Sequence, residues 1–180
     1  GALVPGLAPP VPLAALAHRL GDTRDGDIVE VCLGAPAFVG QVAARIAARG
    51  GVAIFIDYGH WRSLGDTFQA LRAHRPESPF ANPGEADLTA HVAFEPLAQA
   101  AQAAGAACSA MTPQGVLLER LGITGRAQAL ARNLAGSALE AHIAAHRRLT
   151  HPEEMGHLFQ SLAVYPPLAP LPPGFDAVRA

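Results

Sequence analysis

A chain of 180 residues, half of them hydrophobic, is long enough for one domain with a substantial core. Its net charge of −2 balances 13 basic against 15 acidic residues, so no basic footprint for nucleic acid is present. No apolar run approaches the ~20 residues that span a bilayer, and no secretory signal is visible. Every basic residue is Arg, which beside the abundance of Ala reads as genome composition. Cys32 and Cys108 lie far apart in apolar segments and read as buried free thiols of a reducing cytoplasm. Gly1 in place of Met points to a processed product or a fragment.

Residues 1–25 are rich in Pro and Gly and read as an irregular leading segment with a short helix over 13–20. "GDTRDGD" is a turn, and "DIVEVCLG" predicts a strand over 28–33. Pro36 then suits a first helical turn, with Val39, Val42 and Ile46 on one face and Gly50 and Gly51 as the stop. The strand "VAIFIDY" follows at once. Strand, helix and strand packed this closely predict a βαβ unit, and hence a parallel sheet.

The stretch "GVAIFIDYGH" is where chemistry enters. Val52 to Ile56 is an apolar run expected of a strand buried on both faces. It ends in Asp57, Tyr58, Gly59 and His60, and sites in open parallel sheets form at the carboxyl ends of strands. A turn-capping Asp57 and a tight-turn Gly59 account for the same residues equally well. Both readings stand at this stage.

"GDTFQALRAHR" is ambiguous between strand and helix, and the polar loop after it carries three prolines and ends in Asp87, Thr89 and His91. Loops of that length in a small domain are often functional. His91 there can donate, accept or shuttle a proton, or simply fix the loop. A helix from Phe94, a strand in "AACSAM", a helix in "VLLERLG" and two more over 126–134 and 137–148 follow. "THPEE" predicts a capping box from Thr150 to Glu153 with Pro152 in the first turn. "LFQSLAVY", ending at Tyr165, is the last strand, and 166–180 is a Pro-rich tail of the same single domain.

His142 and His146 stand i, i+4 on a helix, but no third ligand is placed with them, so no metal site is expected. No G-x-S-x-G elbow and no P-loop occurs. "LGAPAFVG" lacks the G-x-G turn that lets backbone approach a cofactor. The residues alone describe an α/β domain with a polar cluster at a sheet edge.

Read in order, "IDYG", "GDTFQALRAHR", "PGEADLTAHV", "QGVLLERLGI" and "RLTHPEEMGHLFQSLAV" resemble the later half of the MidA-type S-adenosylmethionine-dependent methyltransferases. The mitochondrial complex I assembly arginine methyltransferase belongs to that family. The resemblance covers most of the chain from about Glu30 onward. It departs at Ala93, where the family usually has Asp, at Pro113 for a Thr, and at Gln160 for a common Lys. The family's glycine-rich cofactor loop lies in an earlier half that this chain does not contain.

The resemblance implies a class I methyltransferase fold, Rossmann-like, with a mostly parallel sheet and an antiparallel last strand, of which this chain is the C-terminal part. It implies S-adenosylmethionine as cofactor, bound mainly by residues outside this chain. It also implies a protein arginine as acceptor, on a respiratory complex I subunit in the mitochondrial members. Relatives work in the mitochondrial matrix, and a bacterial homologue would work in the cytoplasm. A carboxylate can orient a guanidinium bidentately, a role assigned to Asp57 or Asp87, with Tyr58 and His91 shaping the pocket and assisting proton removal; Asp57, Tyr58 and His91 are the expected catalytic residues. Gly59, Asp87, Thr89 and Gln114 are the expected substrate-binding residues. The alternative is a partner-binding module that keeps the scaffold and has lost the cofactor.

Overall fold

The computed structural model describes residues 3–178. Its helices are α1 (Gly34–Arg49), α2 (Phe94–Ala103), α3 (Gln114–Arg120), α4 (Ile123–Ala131) and α5 (Gly136–Thr150), preceded by a 3-10 helix at Ala14–Arg19. Its strands are β1 (Ala53–His60), β2 (Gln69–Arg72), β3 (Arg75–Glu77), β4 (Asp87–Thr89), β5 (Val92–Ala93), β6 (Ala107–Cys108), β7 (Thr112–Pro113) and β8 (Phe159–Tyr165). The main sheet runs β5-β1-β8-β6, with β7 also paired to β8, and a small second sheet runs β3-β2-β4.

The apolar run after Gly51 becomes the middle of the main sheet. β1 pairs antiparallel with β8 from Ala53↔Val164 to Tyr58↔Phe159. Strand alternation then sorts the side chains. Ala53 and Phe55, with their partners Val164 and Leu162, face α1 and α2, where Val39, Ala43, Ile46, Phe94 and Leu97 close the principal core. The opposite face holds Ala163 under Leu117 of α3 and Phe175 of the tail. So the tail is packed structure over part of its length, and Arg120 also ties it down through Asp176 at 2.8 Å. Two hydroxyls are spent inside the sheet: Ser161 donates to Thr112 O at 2.6 Å, and Ser109 Oγ accepts from Ala163 N–H at 3.0 Å. Neither is left costly and unpaired.

The α/β reading and the antiparallel last strand hold. Several finer expectations do not. Residues 28–33 form no strand among the described residues, Leu33 already having helical backbone before α1, and Ile28, Val31 and Leu33 stay exposed. A strand needs a hydrogen-bonding neighbour, and β1 is already taken by β8 on one side. The parallel share of the sheet is therefore the β1–β5 pair, Gly59↔Val92 and His60↔Ala93. Along Ala53 to Tyr58 the other edge of β1 has no partner among the described residues, and Ile54 and Ile56 on it are half exposed.

The ambiguous segment resolves as the β2–β3 hairpin. Its two-residue turn puts Ala73 and His74 at φ of 49° and 61°, the geometry that suits strand twist but disfavours side chains. The predicted capping box is replaced. Thr150 remains helical and donates to His146 O, and His151 Nδ1 accepts from Glu153 N–H at 3.3 Å. Ala93 offers α2 no side-chain cap, as its replacement of Asp foretold. No helix among the described residues is long and apolar enough to cross a membrane.

Candidate functional site

At the carboxyl end of β1 the Tyr58 ring lies 4.3 Å from Phe159 and 6.3 Å from the His91 ring, centroid to centroid. His60 lies 5.8 Å from His91 on another side. His91 reaches this place because β5 runs parallel to the end of β1, and only glycine permits that approach. A Cβ on Gly59 would stand 2.0 Å from Val92 O, and its φ of 154° is one that side chains rarely adopt. Gly59 thus makes room for a strand.

The backbone of His91 is fixed from behind. Its N–H donates to Thr67 Oγ at 2.8 Å, and Thr67 donates both its N–H (3.0 Å) and its hydroxyl to the Glu30 carboxylate. His91 Nδ1 is buried and has no hydrogen-bond partner. Glu30 and Thr67 are 37 residues apart, and although Thr67 falls within "GDTFQALRAHR", nothing in that motif pairs it with Glu30. Sequence reasoning had no signal for them.

Asp57 takes a different position. Its carboxylate is exposed and accepts the N–H of Tyr58 at 2.8 Å, and alternation puts it on the Phe55 face beside Gln160. Tyr58, one residue on, faces the other way. β1 therefore brings Tyr58 near His91 and turns Asp57 from both. Asp87 and Thr89 lie on β4, opposite Leu71 and Gln69, in the small sheet that leads into His91. Gln114 donates to Leu149 O at 3.0 Å and so joins α3 to the end of α5. Beside it, a Cβ on Gly115 would meet Thr150 O at 2.4 Å, so the Gln-Gly pair serves the same close junction. Gln160 is buried, donates to His157 O, and leaves its amide oxygen unpartnered.

A cavity of about 330 Å³ opens beside His91, between the 3-10 helix, residues 30–32 and the first turns of α1 and α2. An ion network forms its rim. Arg62 grips Glu95 with two bonds of 2.8 and 2.7 Å and reaches Asp22 at 2.9 Å. Arg19, buried, binds Asp22 and donates to Ser63 O, and His18 lies 3.5 Å from Glu95. The hydrogen bonds from Arg62 hold the Glu95 carboxyl below its ordinary value despite burial. Arg19 first, then Arg62, does the same for Asp22. Only the Arg19–Asp22 pair lies within reach of sequence spacing, at i, i+3, whereas Arg62 and Glu95 are 33 residues apart.

His142 and His146 join α4 to α5. The first bonds Ala127 O at 2.9 Å, and the second bonds Thr124 Oγ at 3.0 Å with Glu119 at 3.7 Å. No group of three metal-binding side chains occurs among the described residues.

With this geometry, the chain can be set beside known proteins. The model of a family described as "Putative S-adenosyl-L-methionine-dependent methyltransferase" matches residues 4–112. The Drosophila melanogaster protein arginine methyltransferase NDUFAF7 homolog, mitochondrial, is 34% identical over 157 residues, covering 86% of this chain and 36% of that protein. The Homo sapiens mitochondrial protein arginine methyltransferase NDUFAF7 is 33% identical over 161 residues, 89% of this chain and 36% of that one. A Burkholderia thailandensis protein crystallised with S-adenosyl-homocysteine superposes with a TM-score of 0.74 at 31% identity, over 90% of this chain and 44% of that one. The chain spans about a third of the length of the curated relatives it matches.

Proposed function

Because the chain belongs to the S-adenosylmethionine-dependent methyltransferase family, we propose that it forms the acceptor side of a protein arginine methyltransferase. Bound S-adenosylmethionine supplies the methyl group. The described residues do not fit that cofactor by themselves. No strand-to-helix turn with a G-x-G spacing occurs among them, and the one glycine at the end of β1 is filled by the Val92 carbonyl. The reading therefore assigns the cofactor to a part of the fold that this chain does not span. The free edge of β1 and the half-exposed Ile54 and Ile56 are consistent with a sheet that continues there.

What the chain's own residues do follows from their placement. Methyl transfer needs alignment more than covalent help, so holding the acceptor still supplies much of the rate. Tyr58 and His91 form a wall at the carboxyl end of β1, and His91 Nδ1 is an unspent atom that can hold a proton shed by an acceptor nitrogen. The observation that carries the reading is this Tyr58–His91 pair, set rigidly by Gly59 and by the Glu30–Thr67 support. By likeness to the named protein arginine methyltransferases, the substrate is a protein, and a bacterial setting would be the cytoplasm.

The test uses a protein of the relatives' full length that contains this chain. Transfer of a labelled methyl group to arginine-bearing protein should fall by about a hundredfold or more in His91→Ala, and less in Tyr58→Phe. Near-wild-type turnover in both variants would refute the roles. If calorimetry finds no S-adenosylmethionine binding even in the long protein, the partner-binding alternative replaces this reading.

A further inference from the structure

We infer that the cavity beside His91 receives the cationic side chain of the acceptor, with Glu30 as the carboxylate that meets it. The inference deepens the methyltransferase reading and rests on it for the identity of the acceptor.

Charge pairing within the cavity is the first ground. Four charged side chains line it: Arg19, Arg62, Glu30 and Glu95. Arg62 and Glu95 are committed to each other, and Arg19 to Asp22. Among the described residues Glu30 has no cationic partner. Its two oxygens accept only the N–H and hydroxyl of Thr67, and a carboxylate can accept about four bonds. A carboxylate beside an apolar wall is costly until a cation reaches it.

The second ground is independent. His91, fixed by the same Thr67, presents a buried ring nitrogen with no partner. The walls between are largely apolar, with Leu16, Ala35, Pro36, Val92 and Leu97 among them. A cavity lined by Glu30 and His91 and otherwise largely by apolar side chains suits a long aliphatic stem with a planar, donor-rich head. Arginine has that form, and its guanidinium can donate to both oxygens of Glu30 at once. Glu30 then contacts the acceptor directly, and through Thr67 it also fixes the backbone of His91.

The chain itself provides the assay. Trp61 is its only tryptophan, and its carbonyl accepts the N–H of Glu95 on the cavity rim at 2.9 Å. Titrate it with Nα-acetyl-arginine amide, the citrulline analogue and the lysine analogue, following Trp61 fluorescence and the His91 ring signals by NMR. Saturable binding of the arginine probe is expected, with citrulline at least roughly tenfold weaker and a similar loss in Glu30→Gln. If Glu30→Gln fails to fold, Ala35→Leu decides, because it narrows the cavity from another lining position and should also weaken binding. Equal affinity for arginine and citrulline, or unchanged binding in Ala35→Leu, overturns the inference. In the long protein, wild-type KM for an arginine peptide in Ala35→Leu sinks the cavity but leaves the methyltransferase reading intact. Absence of methyl transfer by the wild-type long protein sinks that reading instead, and the probe titration still judges the cavity.

Discussion

The two faces of the β1–β8 ribbon are finished to different degrees. On the α1–α2 face, Phe94, Leu162 and Val164 are fully buried and belong to one continuous core. On the other, Leu117 and Phe175 cover Ala163 and stop, leaving Ile54 at 49% and Ile56 at 50% exposure. The covered half of that face is supplied by α3 and the tail, both of which follow β1 in sequence. Its uncovered half and the free edge of β1 are the same residues. A strand so apolar and so little covered is consistent with the proposed continuation of the sheet beyond these residues.

The contrast predicts a steep gradient of mutational cost. Gly59→Ala should be the severest change, losing about 3 kcal/mol or more in chemical denaturation, because the new methyl would overlap the Val92 carbonyl and φ forbids relief. Leu162→Ala on the closed face should cost about 3 kcal/mol by the same measurement, while Ile54→Ala in this chain should cost under about 1 kcal/mol. A similar penalty for both would mean the open face is not open. Repeating Ile54→Ala in the full-length protein sharpens the point, since its cost should rise toward that of Leu162→Ala.

The acid limb gives a smaller effect with a defined sign. Arg62 depresses the Glu95 carboxyl below its ordinary 4.5, so the stabilisation is complete above that value and fades as pH falls through the lower folded one. Glu95→Gln should therefore flatten the pH dependence of the melting temperature below about pH 4.5 and leave little slope difference above it. The smallest effect concerns the thiols. Burial pushes the Cys108 thiol up to about 11, whereas Cys32 is exposed. A thiol reagent near neutral pH should label Cys32 in the native protein and Cys108 only on unfolding. Equal labelling rates would contradict the packing of β6.

Legibility followed the range of the interactions. β1, α1, α2 and β8 were readable because apolar periodicity and helix stops act within a few residues, and Val39 and Ile46 bury as their spacing implies. Residues 28–33 looked like a strand by the same local measure and failed for want of a partner. Tyr58, polar at a strand end, and His91, in a polar loop, stood out as candidate site residues, and the structure places their rings 6.3 Å apart. Gly59 stood out as well, but its purpose is contact with β5. Gln114 caught attention through its neighbours in a motif whose close junction with α5 has a packing explanation. Glu30, Thr67, Arg62 and Glu95 were invisible because each takes its meaning from a partner more than 30 residues away.

By itself the sequence determined the element types of the apolar segments, the absence of a basic surface and, through five ordered motifs, the family. Only the tertiary structure decided that Tyr58 rather than Asp57 stands by His91, that Glu30 is left without a cation, and that one sheet face is unfinished. The reason is physical: period and propensity act along the chain, whereas strand register and ion pairing are settled between segments brought together by folding.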